Sequence, residues 1–331
     1  MTEISVDRVH DRLADERDAA VARLDAAASV TVLCHVHPDA DTIGSGLALG
    51  TIFERRGTPV QVSFAEPGAL PESMEDLPGR HLLVDPADVA DTVDLLVTVD
   101  CGSAARLGSL AGRLAGAAHT LVVDHHPSNT RFGDSHLVDA DAVSTTAVLS
   151  EVFDRWGVEM DRDLAHCLYA GLVTDTGSFR WGGASAHVLA DRLLATGIDG
   201  AAIARRLLDT HPFGWLPMLS AVLGTAQLVP GAAGGGGLVY AFVRRENTLG
   251  LRPEEVESVI DIVRTTAEAE VAAVVKEARD GSWSVSLRSK NSVDVADVAT
   301  RLGGGGHRFA AGYTATGASD QVIARLLETL G

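Results

Sequence analysis

VTVLCHVHPDADTIGS, residues 30–45, decides how the chain is read. Val30 to Cys34 is short, rich in β-branched residues and nearly all apolar, the pattern of a strand buried on both faces of a parallel sheet. His35, Asp39 and Asp41 follow at its carboxyl end, which is where open α/β sheets bind ligands. Pro38 blocks an early helix start, and Thr42 to Arg55 then carries helical spacing, with Ile43, Leu47, Ile52 and Phe53 available for packing. Groups able to hold a metal therefore cluster directly past a predicted strand end.

The same design recurs along the chain. PVQVSF, 59–64, reads as a second strand, followed by a loop containing Pro67, Pro71 and Pro78. VDLLVTV, 93–99, reads as another buried strand and ends in Asp100, with Gly102 and Ser103 suited to a turn into a helix. Leu121 to Val123 ends in Asp124, His125, His126 and Pro127. Helical spacing over 143–156 and 161–173 leads to TDTGSFRW, 174–181, where Asp175 stands beside Gly177.

From 184 to 228 the chain reads as mostly helical, with breaks at Gly197, His211-Pro212 and Pro217. GAAGGGG, 231–237, lies between two strand-like pieces and reads as a hairpin loop in preference to a phosphate loop. The last hundred residues suggest a smaller α/β unit, with strands at 238–243, 270–277 and 282–288 and helices at 253–264, 294–302 and 319–330. Within it, GGGGHRFAAG, 303–312, implies close backbone approach, often to an anion met by N–H donors. The expected fold is α/β: a parallel-sheet domain over 1–195, a helical connector over 196–228, and a smaller α/β domain over 229–331.

Composition narrows the function. The hydrophobic content of 46% fits a globular protein and argues against disorder. No stretch approaches the roughly 20 uninterrupted apolar residues of a membrane span. The N-terminal VDRVHDRLADERDAAVARLDAA reads as a polar amphipathic helix, so a cytoplasmic protein is expected. Cys34, Cys101 and Cys167 are widely spaced and lack any CxxC pairing, which points to reduced core residues. A formal charge of -18 argues against long duplex nucleic acid, which needs a broad basic surface, but leaves room for a small phosphorylated substrate.

One strand-end aspartate is usually a helix cap or turn residue. Repetition makes that reading harder to hold. His35, Asp39, Asp41, Asp100, His125 and Asp175 together supply an oxygen-dominated donor set, suited to Mn²⁺ or Mg²⁺ more than to zinc. A carboxylate shared by two ions would hold them about 3.5 to 4 Å apart. Two divalent ions are balanced by the four aspartates, and a bridging hydroxide turns the site slightly negative before an anionic phosphate arrives. Further cations are then needed, and His126, with Arg288, Lys290, His307 and Arg308 folding over the site, could supply them. Cys34 should face away from His35, because neighbours on a strand point to opposite faces.

These motifs resemble those of the DHH phosphoesterases, with Asp124-His125-His126 as the triplet that names the family. The resemblance covers nearly the whole chain: HVHPDAD at 35–41, VDCGS at 99–103, VVDHHPSN at 122–129, VTDTGSF at 173–179, and GGGGH at 303–307 as the mark of the DHH-associated C-terminal domain. Length and the short connector are similar to the NrnA-like branch of oligoribonucleases, phosphoadenosine phosphate (PAP) phosphatases and cyclic di-AMP phosphodiesterases, not to the longer RecJ exonucleases.

The resemblance implies two Mn²⁺ ions, with Mg²⁺ or Co²⁺ as alternatives. It puts His35 and Asp39 on one ion, Asp41, His125 and Asp175 on the other, and Asp100 between them. His126 would contact the scissile phosphate, Asp124 would support the histidines, and a bridging hydroxide would attack phosphorus in line. Arg288, Ser289, Lys290, Asn291, Gly305, Gly306, His307 and Arg308 would bind substrate. His37 departs from the family pattern, which often has asparagine there, and is expected to tune the site.

The expected activity is hydrolysis of small nucleotides to mononucleotides: short single-stranded RNA (nanoRNA), 3'-phosphoadenosine 5'-phosphate, or cyclic di-AMP and its linear product pApA. A homodimer is expected from the resemblance and from the apolar connector. The rivals are a family II-like inorganic pyrophosphatase, which GGGGH argues against, and a nucleotide sensor that binds without turnover.

Overall fold

The structure, a computed structural model, describes residues 3–66 and 68–331, so Pro67 of the predicted loop lies outside the described residues. It divides into two compact units, Met1–Thr210 and His211–Gly331.

In the first unit the order is α1 (Glu3–Asp25), β1 (Val30–Leu33), α2 (Ala40–Arg55), β2 (Val60–Ser63), β3 (Val93–Val99), β4 (Ala117–Asp124), β5 (Ser135–Val138), α3 (Thr145–Arg155), α4 (Arg162–Asp175), α5 (Gly183–Leu194) and α6 (Gly200–Leu208). The strands form one sheet in the order β2-β1-β3-β4-β5, and every neighbouring pair is parallel. Both faces are covered, as the uninterrupted apolar runs required. Val30, Val32, Val97 and Val99 join the large core built with α2, α3 and α4, while Leu33 and Leu96 pack on the other face with Leu107 and Leu110.

The chain leaves β1 toward β2 on one side and then returns to β3 on the other. That reversal opens a crevice between the carboxyl ends of β1 and β3, the place where doubly wound sheets bind ligands. His35 follows β1 and Asp100 follows β3.

The second unit holds α7 (Trp215–Leu223), β6 (Gln227–Val229), β7 (Leu238–Val243), α8 (Pro253–Glu257), α9 (Val259–Val263), β8 (Val271–Glu277), β9 (Trp283–Ser289), α10 (Val295–Arg301), β10 (Gly305–His307), β11 (Ala310–Ala315) and α11 (Ser319–Leu330). Its sheet runs β10-β11-β9-β8-β7-β6 and is antiparallel except for the β7–β8 pair.

Several expectations change in detail. The stretch 196–228 is divided, with α6 in the first unit and α7 in the second. The helix expected over 253–264 is two five-residue helices meeting at Ser258. The helix expected after Ser103 is 3₁₀ over Ala104–Gly116, broken at Gly108, whose φ is 57°. β5, β10 and β11 are too short or too glycine-rich to stand out as apolar runs, whereas β6 and β7 are the two strand-like pieces that flank 231–237. The three cysteines are buried and free, as expected. Among the described residues no helix is long and apolar enough to cross a membrane.

Candidate metal centre

Asp39 shows how the cap reading and the ligand reading coexist. It is the N-cap of α2, and its Oδ1 accepts from the backbone N–H groups of Asp41 and Thr42 at 3.0 and 3.1 Å. Its other oxygen, Oδ2, lies 3.5 Å from His35 Nε2. One carboxylate therefore starts the helix and faces the imidazole.

Asp100 stands at the middle of the cluster. Its Oδ2 lies 3.4 Å from His35 Nε2, and its Oδ1 lies 3.6 Å from His125 Nε2 and 3.5 Å from His126 Nδ1. Its backbone sits in the left-handed region, with φ 60°, an uncommon conformation for a residue other than glycine that recurs at functional sites. The Thr145 hydroxyl donates to Asp100 Oδ1 at 3.0 Å, and the Thr42 hydroxyl donates to the Val99 carbonyl at 2.9 Å, tying α2 to the end of β3.

Asp41 and Asp175 come together with His125, whose Nε2 is 3.1 Å from Asp175 Oδ2. Asp41 is wholly buried and is met by the N-terminus of α3. Thr145 N–H donates to its Oδ2 at 2.6 Å, and Thr146 donates to its Oδ1 through both the backbone N–H at 2.9 Å and the hydroxyl at 2.6 Å. Asp124 accepts from His126 Nδ1 at 2.7 Å, from the His125 backbone N–H at 2.9 Å and from the Asn129 amide. It thus orients the His126 ring, whereas the His125 ring meets the Ala142 carbonyl through Nδ1 at 3.2 Å.

Within the first unit three compact groups result, each with donor atoms within 4.8 Å of one another: His35, Asp39 and Asp100; Asp41, His125 and Asp175; and Asp100, Asp124 and His126. Their ionisation shows what they lack. Burial, reinforced by Asp175 and Asp100, pushes the Asp41 carboxyl well above the ordinary range. Burial also raises Asp175, to about 6, with His125 opposing. For His35 burial alone would lower the imidazole, but Asp39 and Asp100 outweigh it and raise it to about 10. The same contest, won by Asp175 and Asp100, raises His125 well above its usual value, and Asp124 wins it for His126. Against the upward push of burial, His35 holds Asp39 low, and His126 and Asn129 hold Asp124 low. A buried cluster that favours protons on Asp41, Asp175 and its imidazoles is one short of positive charge. The donors are oxygen-rich with two imidazoles, so the residues fit hard divalent cations.

Sequence reasoning missed Thr145, Thr146, Asn129 and Arg106. Ser-Thr-Thr at 144–146, opening a helix, was the available signal for the first two. Arg106 Nη2 lies 3.0 Å from His35 Nδ1, which also lies 2.9 Å from the Val36 carbonyl; the tautomer decides which contact the nitrogen makes. His37 is exposed, with φ 53°, and joins none of the three groups.

In the second unit Arg288 and Ser289 end β9, Lys290 and Asn291 follow it, Gly305, Gly306 and His307 form β10, and Arg308 sits in the turn to β11. Pairing of β9 with β11, with Ala310 opposite Arg288, brings the two motifs together. Two of the four glycines have a structural reason: a Cβ at Gly304 would lie 2.1 Å from the Gly312 carbonyl oxygen, and one at Gly306 would lie 2.6 Å from that of Ala310.

Comparison with known proteins identifies both units. Residues 29–172 match the DHH family, N-terminal domain, and residues 227–331 match the DHHA1 domain. The chain is 30% identical over 304 residues to the bifunctional oligoribonuclease and PAP phosphatase NrnA of Thermus thermophilus, covering 91% of this chain and 89% of that one. It is 25% identical to the probable NrnA of Streptococcus mutans, covering 88% and 91%. An exopolyphosphatase-related protein from Bacteroides fragilis shares the fold, with a TM-score of 0.84 at 21% identity over 96% of this chain and 95% of that one.

Proposed function

The chain belongs to the DHH family of phosphoesterases, in its NrnA-like branch, and we propose that it is a Mn²⁺-dependent enzyme that cleaves short oligoribonucleotides and 3'-phosphoadenosine 5'-phosphate to mononucleotides. The observation that carries this reading is Asp100, whose two oxygens address His35 on one side and His125 and His126 on the other.

His35 and Asp39 would hold one divalent ion, Asp41, His125 and Asp175 the other, and Asp100 would serve both. Such ions acidify water and neutralise charge on a phosphate, the two needs of phosphoester hydrolysis. An oxygen-rich set suits Mn²⁺ or Mg²⁺ better than zinc. The remaining chemistry falls to the protein. His126 contacts the scissile phosphate, its Nδ1 committed to Asp124 and its positive charge favoured by that neighbour. Arg288, Ser289, Lys290 and Asn291, with Gly305, Gly306, His307 and Arg308, would contribute to nucleotide recognition, and all eight lie within the stretch that matches the DHHA1 domain. The acidic chain, with net charge -18, favours short substrates over long polymers. The same family resemblance supports a homodimer, which sedimentation at micromolar concentration tests.

The deciding experiment is a product time course with Mn²⁺ on pApA, cyclic di-AMP, 3'-phosphoadenosine 5'-phosphate and pyrophosphate, for the natural chain, Asp100→Ala and His126→Ala. AMP formation lost in both variants is the expected result. Cleavage of pyrophosphate alone would move the assignment to a pyrophosphatase, and tight nucleotide binding with no product would make the protein a sensor.

A further inference from the structure

The glycine-rich turn 231–237 has a specific packing partner. A Cβ at Gly236 would lie 2.9 Å from Glu270 Cβ, and one at Gly237, whose φ is 85°, would lie 2.4 Å from the Glu268 carbonyl oxygen. Only residues without side chains let the turn lie this close to the segment entering β8. The Gly236 carbonyl accepts from Glu270 N–H at 2.8 Å, and the Gly237 carbonyl accepts from Val271 N–H at 3.1 Å. The turn thus seats Glu270.

Glu270 in turn gathers the chain that leaves β9. Its Oε1 accepts from the backbone N–H groups of Asn291, Ser292 and Val293 at 2.8, 2.6 and 3.2 Å, and its carbonyl accepts from Lys290 N–H at 3.1 Å. Four successive amides end on one residue. Successive N–H groups of this kind form an anion-binding concavity, and here an internal carboxylate occupies it. Burial alone would raise the carboxyl, but the three amides outweigh it and hold Glu270 below the usual range, so it is anionic at neutral pH.

We infer that Glu270 is a positioning residue for nucleotide recognition: seated by the 231–237 turn, it fixes the backbone on which Lys290 and Asn291 are carried, directly after Arg288 and Ser289 at the end of β9. The inference rests on the reading of 288–291 as a substrate-contacting segment, and the test separates the two.

Glu270→Ala, Glu270→Gln and Arg288→Ala are compared in the full-length chain with Mn²⁺ and pApA, with KM, kcat and melting temperature measured for each. The expected result is a KM raised about tenfold in Glu270→Ala with kcat held within about twofold, a smaller rise in Glu270→Gln, which keeps an acceptor oxygen, and a raised KM in Arg288→Ala. A raised KM in Arg288→Ala with none in Glu270→Ala overturns the positioning role alone. Unchanged KM in both variants overturns the reading of 288–291 and this inference with it. A joint loss of kcat, KM and melting temperature in both Glu270 variants reduces Glu270 to a structural residue and also overturns it.

Discussion

Gly171 on α4 leaves Asp41 the space that a methyl group would fill: a Cβ at position 171 would lie 2.4 Å from Asp41 Oδ1 and 2.7 Å from the Thr146 hydroxyl. The carboxylate is fixed from three sides, since Thr145 and Thr146 hold it through α3 and its own backbone is in the first turn of α2. Gly171→Ala is therefore expected to displace a proposed ligand as well as to overpack the core, at a cost of about 1–3 kcal/mol. Melting curves with and without Mn²⁺ check this. The stabilisation conferred by the metal should shrink more than the metal-free melting temperature falls.

Thr146 permits a gentler test of the same support. Its hydroxyl donates to Asp41 Oδ1 at 2.6 Å and approaches the Ser144 hydroxyl at 2.8 Å. Thr146→Val keeps the shape and the backbone N–H but removes the donor. Losing a partner that orients a ligand typically costs roughly 10–100-fold in metal affinity. Calorimetric titration with Mn²⁺ should show that loss, and Thr146→Ser should restore most of it.

These supports mark the boundary of what was legible in the chain. Val93–Val99 could be read as a buried strand because both faces are apolar, and Asp100 at its end followed from the sheet rule. The six proposed ligands stood out because each follows a strong apolar run or closes a helix. Thr145 and Thr146 did not, because their value lies in contacts to Asp41 across 104 and 105 residues, and Asn129 stood in the motif at 122–129 without showing that its amide meets Asp124. Glu270 was invisible for a related reason. Its partners are backbone amides, which carry no side-chain identity for a sequence to display. The short strand β11 was hidden too, since Ala310–Ala315 reads AAGYTA and draws its stability from pairing with β9.

Asp124 governs the charge of His126. Asp124→Asn retains an acceptor oxygen but loses the negative charge that, against the effect of burial, raises the imidazole. The ring should then lose its proton at lower pH. If the protonated ring meets the phosphate, the alkaline limb of the kcat/KM profile moves to lower pH, and the rate at pH 8 falls by about 100-fold. An unmoved limb would assign that limb to a different group.

The cluster's protons predict how metal binding depends on pH. His35 has its pKa raised from 6.5 to about 10 in the fold, so its contribution to metal-free stability is complete below 6.5 and is lost as pH rises toward 10. Asp175, raised from 3.8 to about 6, acts in the same direction: the fold favours its protonated form, and that contribution is lost as pH rises through 6. The metal-free protein should therefore weaken at this site between about pH 4 and 10. Divalent ions take the place of these protons, so binding should release protons, and the gain in melting temperature on adding Mn²⁺ should grow from pH 5 to pH 8. A gain that is equal or larger at pH 5 would mean that the ions bind away from His35 and Asp175.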